Sequence, residues 1–354
     1  MRERKISRRV VLKTAGTFAA TVFASPLRAA PPEPTVITPA LIDAAREEGK
    51  VIFYTSIDLP VSERIARSFE ARYPGIAVRV ERTGAERIFQ RVGQEYASNI
   101  HAVDVVNSSD AAHFIVWRRE GLLAPVLPED VAKHFPNDQK EPDGLFASFR
   151  AGLSPIGYNT RLVKPADAPK SFADLLDPKW AGKIVKAHPG FSGTIMTSTY
   201  EMSRDLGWEF FERLARQRVM QVQAAADPPK KLALGERAIM ADGNEYVLLL
   251  AKESGAPVDV IYPLEGTPLI ASPSAVFKAA PNPNAARLFQ CFCFSAECQR
   301  LVVESGGMRS FHAQVAEKPG RQPLKDIKVM KEDAAAVEKM GEEIRAHYTR
   351  LFRV

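Results

Sequence analysis

Apolar residues along this chain switch repeatedly between strand-like runs and helical spacing. Lys50-Val51-Ile52-Phe53-Tyr54-Thr55 is a short apolar run ending in a polar loop, and Ser62 to Arg72 then places Ile65, Ala66 and Phe69 on one helical face. Tyr73-Pro74-Gly75 stops that helix. Ile76 to Val80 reads as the next strand, Ala85 to Ala97 as a helix with Ile88, Phe89 and Val92 inward, and Val103 to Val106 as a third strand. This βαβαβ order predicts a parallel sheet with helices on both faces.

The alternation returns after residue 150. Ile184 to Ala187 is a strand, Thr194 to Leu206 and Trp208 to Arg216 are helices, and Arg237 to Met240 is a strand leading into a helix from Tyr246. Two irregular extended stretches, Gly152 to Thr160 and Val258 to Gly266, stand between the halves and are expected to carry the chain across and back. A long apolar helix is predicted over Asn284 to Glu304. Asp333 to Phe352 follows, with Val337, Met340, Ile344, Tyr348 and Leu351 as an amphipathic stripe for packing.

Charge adds a second distinction. The 354 residues hold 48 Lys or Arg and 42 Asp or Glu, but seven of the basic residues and only Glu3 among the acids fall within residues 1–30. The remainder holds 41 of each, so the mature surface exerts no global pull on nucleic acid or anionic lipid. That basic start ends in Ser7-Arg8-Arg9-Val10-Val11-Leu12-Lys13 and runs into the apolar stretch Thr14 to Ala24, which resembles a twin-arginine export signal. About eleven apolar residues fall short of the roughly twenty that span a bilayer, so cleavage and release are expected rather than stable membrane insertion. The three cysteines, Cys291, Cys293 and Cys298, fall in one predicted helix and read as buried thiols; they give no disulfide framework and no zinc spacing.

Chemistry concentrates at strand-to-helix junctions. Four loops combine small hydroxyls, Asn or Gly immediately before a helix: Thr55-Ser56-Ile57, Thr83-Gly84, Asn107-Ser108-Ser109 and Ser192-Gly193-Thr194. In open α/β sheets a ligand lies beyond the carboxyl ends of the strands, where backbone N–H groups and helix dipoles favour an anion. The competing reading of each loop is ordinary N-capping. Asn244-Glu245-Tyr246 occupies a fifth junction, where Glu245 is expected to accept from a ligand cation or N–H group and Tyr246 to stack or hydrogen-bond. His188 is a weaker candidate contact. No nucleophile with a base, no paired carboxylates and no close-spaced metal motif occurs, so neither an enzyme, a cofactor nor a metal site is expected.

Several segments carry a family resemblance. Val51 to Ser56, Glu120-Gly121-Leu122-Leu123-Ala124-Pro125-Val126, Tyr158-Asn159-Thr160 with Ser171 to Lys183, Pro263 to Gly266, and Ala285 to Phe289 occur in the order seen in periplasmic solute-binding proteins of ABC importers. The resemblance covers roughly residues 36 to 320 and points to the branch that includes ferric-iron, thiamine and 2-aminoethylphosphonate binders. It implies an α/β, two-lobe periplasmic-binding-protein fold of type II, with a hinge and an interlobe ligand cleft. Residues 36–152 with 265–354 are expected to form lobe one, and 158–260 lobe two. The implied function is capture of a small anionic or zwitterionic solute by a periplasmic monomer and delivery to a membrane permease. Ferric-iron transport, or sensing through a receptor, is the alternative. Ferric-binding relatives carry two adjacent tyrosines where this chain has Glu245 and Tyr246, which weakens the iron reading.

Overall fold

The computed structural model describes residues 32–354. The export-signal expectation, Arg8 and Arg9 included, therefore lies outside the described residues. Helix α1 (Pro39–Glu48) leads into strand β1 (Lys50–Thr55), followed by α2 (Leu59–Arg72), β2 (Ala77–Arg82), α3 (Ala85–Ala97) and β3 (Val105–Asn107). These three strands are parallel in the order β2-β1-β3, as the sequence pattern predicts. Helices α4 (Ala111–Arg119) and α5 (Glu129–His134) and strand β4 (Ala147–Leu153) complete the outward path. Alternation along β1 explains the layering, because successive side chains point to opposite faces. Val51 and Phe53 join the core under α2, while Tyr54 joins the core under α3 and α4.

The chain crosses to a second sheet at Ser154-Pro155. There it forms β5 (Ile156–Asn159), β6 (Ile184–Ala187), α6 (Gly193–Leu206), α7 (Trp208–Ala215), β7 (Met220–Val222), α8 (Asp227–Ala233), β8 (Ile239–Met240), α9 (Glu245–Glu253) and β9 (Val258–Ile261). The strand order is β7-β6-β8-β5-β9, with β6 parallel to β7 and β8, and β5 antiparallel to β8 and β9. Ile184 and Val185 again serve opposite cores. The chain returns after Ile261 to β10 (Leu269–Val276), which is inserted antiparallel between β3 and β4. Both extended stretches expected at the crossings thus contain paired strands, since Ile156 faces Ile261 in register.

Three details depart from the sequence pattern. The long helix expected over Asn284 to Glu304 is two helices, α10 (Pro283–Phe294) and α11 (Ala296–Glu304). Ser295 breaks it by turning extended and accepting from the Cys298 N–H at 3.3 Å. The cysteines are consequently split between α10 and α11, all free and buried. Lastly, α12 (Ala334–Phe352), expected to return to the first lobe, packs against α4 there and against α6 and α7 of the second lobe. Among the described residues no helix is long and apolar enough to cross a membrane.

Candidate functional site

The two lobes meet at the carboxyl ends of their parallel strands. Glycine permits backbone to touch backbone there. A Cβ on Gly84, ahead of α3, would stand 2.8 Å from the Phe191 carbonyl oxygen of the second lobe, and a Cβ on Gly193, opening α6, would stand 2.5 Å from the Asp110 Cβ of the first. Between these contacts lies a cavity of about 30 Å³, room for a water or two, walled by Ser56, Arg82, Gly84, Ser109, Arg150, Ser192, Thr194, Ala224 to Ala226 and Asn244. It shares Arg82, Gly84, Phe191 and Ala224 with a wider recess of about 330 Å³, which Thr83 also lines. The lobes are thus drawn nearly shut.

Some helices of the protein are capped by a side chain at the N-terminus and others are not. Thr38, Asp110, Ser295 and Asp333 each cap a helix by accepting from a backbone N–H. Ser192 and Asn244 stand at the N-caps of α6 and α9 yet make no such bond, and Gly84 at the start of α3 has no side chain to make one. Ordinary N-capping is therefore excluded for Ser192 and Asn244. Their polar atoms and the first N–H groups of three helices remain available around one cavity, each helix end contributing a partial positive charge.

Arg150 stands out among the walls. It sits in β4, is 3% exposed, and its Nε has no hydrogen-bond partner. No carboxylate forms an ion pair with it among the described residues. The Tyr246 ring lies beside it, with the guanidinium carbon 5.8 Å from the ring centroid. Burial lowers its pKa from the ordinary arginine value, partly opposed by the Tyr246 phenol and the charge of Asp58. Arg82 differs: it donates to the Ile57 carbonyl and to Asp58, both at 3.3 Å, so its charge is already compensated.

Of the expected residues, Ser56, Gly84, Ser109, Ser192, Thr194 and Asn244 wall the cavity. Gly193 forms the interlobe contact, and Thr83 lies in the outer recess. Others do not face the cavity. Thr55 is buried and accepts from the Ile57 N–H at 3.1 Å, while Ile57 belongs to the core of the first lobe. Asn107 clips β3 to β10 by donating to the Ser272 and Pro273 carbonyls, and the Ser108 hydroxyl accepts from the Asp110 N–H. His188 is taken up by its own loop, its Nδ1 accepting from the Gly190 N–H at 2.9 Å.

Glu245 requires the main correction. Its expected cationic partner is already inside the protein: Arg309 donates from Nε to Oε2 at 3.0 Å and from Nη2 to Oε1 at 2.9 Å. The Tyr262 hydroxyl also donates to Oε1. With both oxygens occupied and the side chain buried, Glu245 presents nothing to a solute. Tyr246 is packed in the first lobe's core beside Arg150, where burial raises its phenol pKa. The sequence pattern missed Arg150 altogether; a lone arginine between Phe149 and Ala151 in a strand was the available signal.

The fold recurs in known proteins. Iron uptake protein A1 of Synechocystis is 24% identical, over 95% of this chain and 95% of that protein. The periplasmic binding protein AfuA of Actinobacillus pleuropneumoniae, solved with fructose-6-phosphate, has a TM-score of 0.79 at 23% identity, over 87% of this chain and 99% of that one. Iron-bound HitA of Pseudomonas aeruginosa has a TM-score of 0.73 at 22% identity, over 85% and 99%. Both structures share the two-lobed type II fold. Residues 103–335 match the bacterial extracellular solute-binding proteins, and with that span across both lobes the chain belongs to this family.

Proposed function

We propose that the protein is the substrate-binding component of an ABC importer and that its solute carries an anionic group held by Arg150. The carrying observation is a buried guanidinium without a counter-ion in the wall of the interlobe cavity. Burying an unpaired charge costs several kcal/mol, so a partner that arrives with the solute recovers a penalty the empty site bears. Ser56, Ser109, Ser192, Thr194 and Asn244 supply hydroxyls and an amide around it, and the N-termini of α6 and α9 add N–H donors. A phosphate, phosphonate or carboxylate group fits that set. The near-closed lobes support trapping by hinge motion, the solute favouring the closed form through its differential affinity.

Two relatives named for iron support a second reading, ferric iron. The cavity wall has no carboxylate and no phenolate, the hard donors that Fe(III) prefers, so bare iron fits it less well than an organic anion does. Calorimetry with phosphate esters, aminophosphonates, carboxylates and neutral analogues tests the anion. At least one anionic class is expected to bind the wild type and to lose roughly 10- to 150-fold in affinity in Arg150→Gln, from a charged hydrogen bond of about 1.5–3 kcal/mol. Equal binding of a neutral solute by both proteins would sink the reading, and a coloured protein that bleaches with a chelator would favour iron.

The periplasm is the proposed compartment, with residues 1–30 as the export signal and Arg8 and Arg9 read by the twin-arginine machinery. Precursor retained in the cytosol when both become Lys is the expected result; normal export would remove that assignment.

A further inference from the structure

Further along α6, about two turns in from its N-terminus, lies a second buried charge-bearing group. Glu201 is 0% exposed; its Oε2 accepts from the Leu269 N–H at 3.1 Å, at the start of β10, and its Oε1 is buried without a partner. Two residues along the same strand, the Ala271 N–H donates to Oε2 of Glu332 at 3.1 Å, and Oε1 of Glu332 is likewise buried and unpartnered. Neither carboxyl forms an ion pair among the described residues.

The location gives the pair its meaning. Leu269 is the first residue after the return crossing, so both carboxyls grip the strand end where one lobe passes into the other. Glu332 belongs to a strap, residues 328–332, that runs beside the crossing: the Thr267 N–H donates to the Lys328 carbonyl at 2.8 Å and the Met330 N–H to the Thr267 carbonyl at 2.9 Å. Arg204 ties α6 to the same strap by donating to the Lys331 carbonyl at 2.6 Å.

We propose that Glu201 and Glu332 are held as a protonated carboxyl pair that fastens α6 and the strap to the hinge end of β10, and that alkaline pH unfastens it. Ionised, each carboxylate would be buried with a single N–H donor and no ion-pair partner among the described residues. Burial pushes Glu201 up to about 9, the charge of Glu332 adding to it and Asp205 adding further, while the Leu269 N–H and Arg204 oppose the rise. Burial pushes Glu332 up to about 8, with Asp110 adding and the Ala271 N–H opposing. Both values stand above the ordinary 4.5. A carboxyl raised in the folded state binds its proton more tightly there than in the unfolded chain. Its contribution is complete below the unfolded value and is lost as pH rises towards 8 and 9.

Chemical unfolding of the full mature chain across pH 6 to 9 tests this. Each extra proton held by the folded state raises the unfolding equilibrium constant about tenfold per pH unit. The wild type is expected to lose stability with at least that slope between about pH 6 and 8, and the double variant Glu201→Gln/Glu332→Gln to lose the slope. Infrared difference spectra of the wild type provide a reading that needs no variant: a protonated-carboxyl band present at neutral pH and gone by pH 10 supports the pair. A double variant with the wild-type slope, or no such band at neutral pH, overturns it.

Discussion

Arg309 and Arg150 are buried almost equally, at 4% and 3% exposure, and the protein treats them in opposite ways. Arg309 is saturated: Glu245 takes two of its donors, Glu317 another, and the Gln322 carbonyl accepts from Nη2 at 2.9 Å. Burial works against its charge, but the bonds and charge of Glu245 outweigh burial and hold its pKa above the ordinary value. Arg150 has none of these partners, and burial pulls its pKa down. Equal burial with unequal pairing separates a guanidinium that holds α9 to the segment after α11 from one with no carboxylate partner among the described residues, the one proposed to meet the solute.

The largest expected effect lies on the saturated side. Removing Arg309 as Arg309→Met strands the buried Glu245 carboxylate, and breaking such a pair costs about 3–5 kcal/mol. The same substitution at Arg150 removes an unpaired buried charge and should leave the stability of the solute-free protein unchanged or raise it. Urea unfolding of the two variants side by side checks both expectations. Comparable destabilisation by Arg150→Met would mean that Arg150 is structural, and the comparison would collapse.

The same contrast explains what could be read in the chain beforehand. The parallel strands β1, β2 and β3, and α3 to the residue, follow from local apolar spacing, because each element buries one face predicted by its own period. The wall residues Gly84, Ser192 and Thr194 were legible because a strand-to-helix junction is a local event. Glu245 was misread because its partner lies 64 positions away, and nothing near residue 245 announces Arg309. Arg150 gives only a weak signal for a related reason: β4 alternates like any strand, and β10 on one side and α9 across the lobes pack against it. The break at Ser295 needed only one side chain accepting from Cys298, a capping signal hidden inside a continuous apolar run.

A smaller effect sharpens the solute side of the comparison by leaving Arg150 in place and obstructing closure. Gly193 is helical, and its backbone does not occupy the left-handed region, so alanine is compatible with the local chain and favours α6 by up to about 1 kcal/mol. The only obstacle is the other lobe, where the new methyl would stand 2.5 Å from the Asp110 Cβ and 2.8 Å from its backbone nitrogen. Those contacts exist when the lobes are shut and vanish when they part. Gly193→Ala is therefore expected to keep the wild-type unfolding midpoint within a small margin, to weaken the anionic solute roughly tenfold, and to enlarge the small-angle scattering radius of the solute-saturated protein towards that of the solute-free form. A bound-state radius equal to the wild type's, with affinity unchanged, would mean that the lobes close without bringing Gly193 against Asp110, and the partnerless guanidinium would have to be satisfied in a more open cleft.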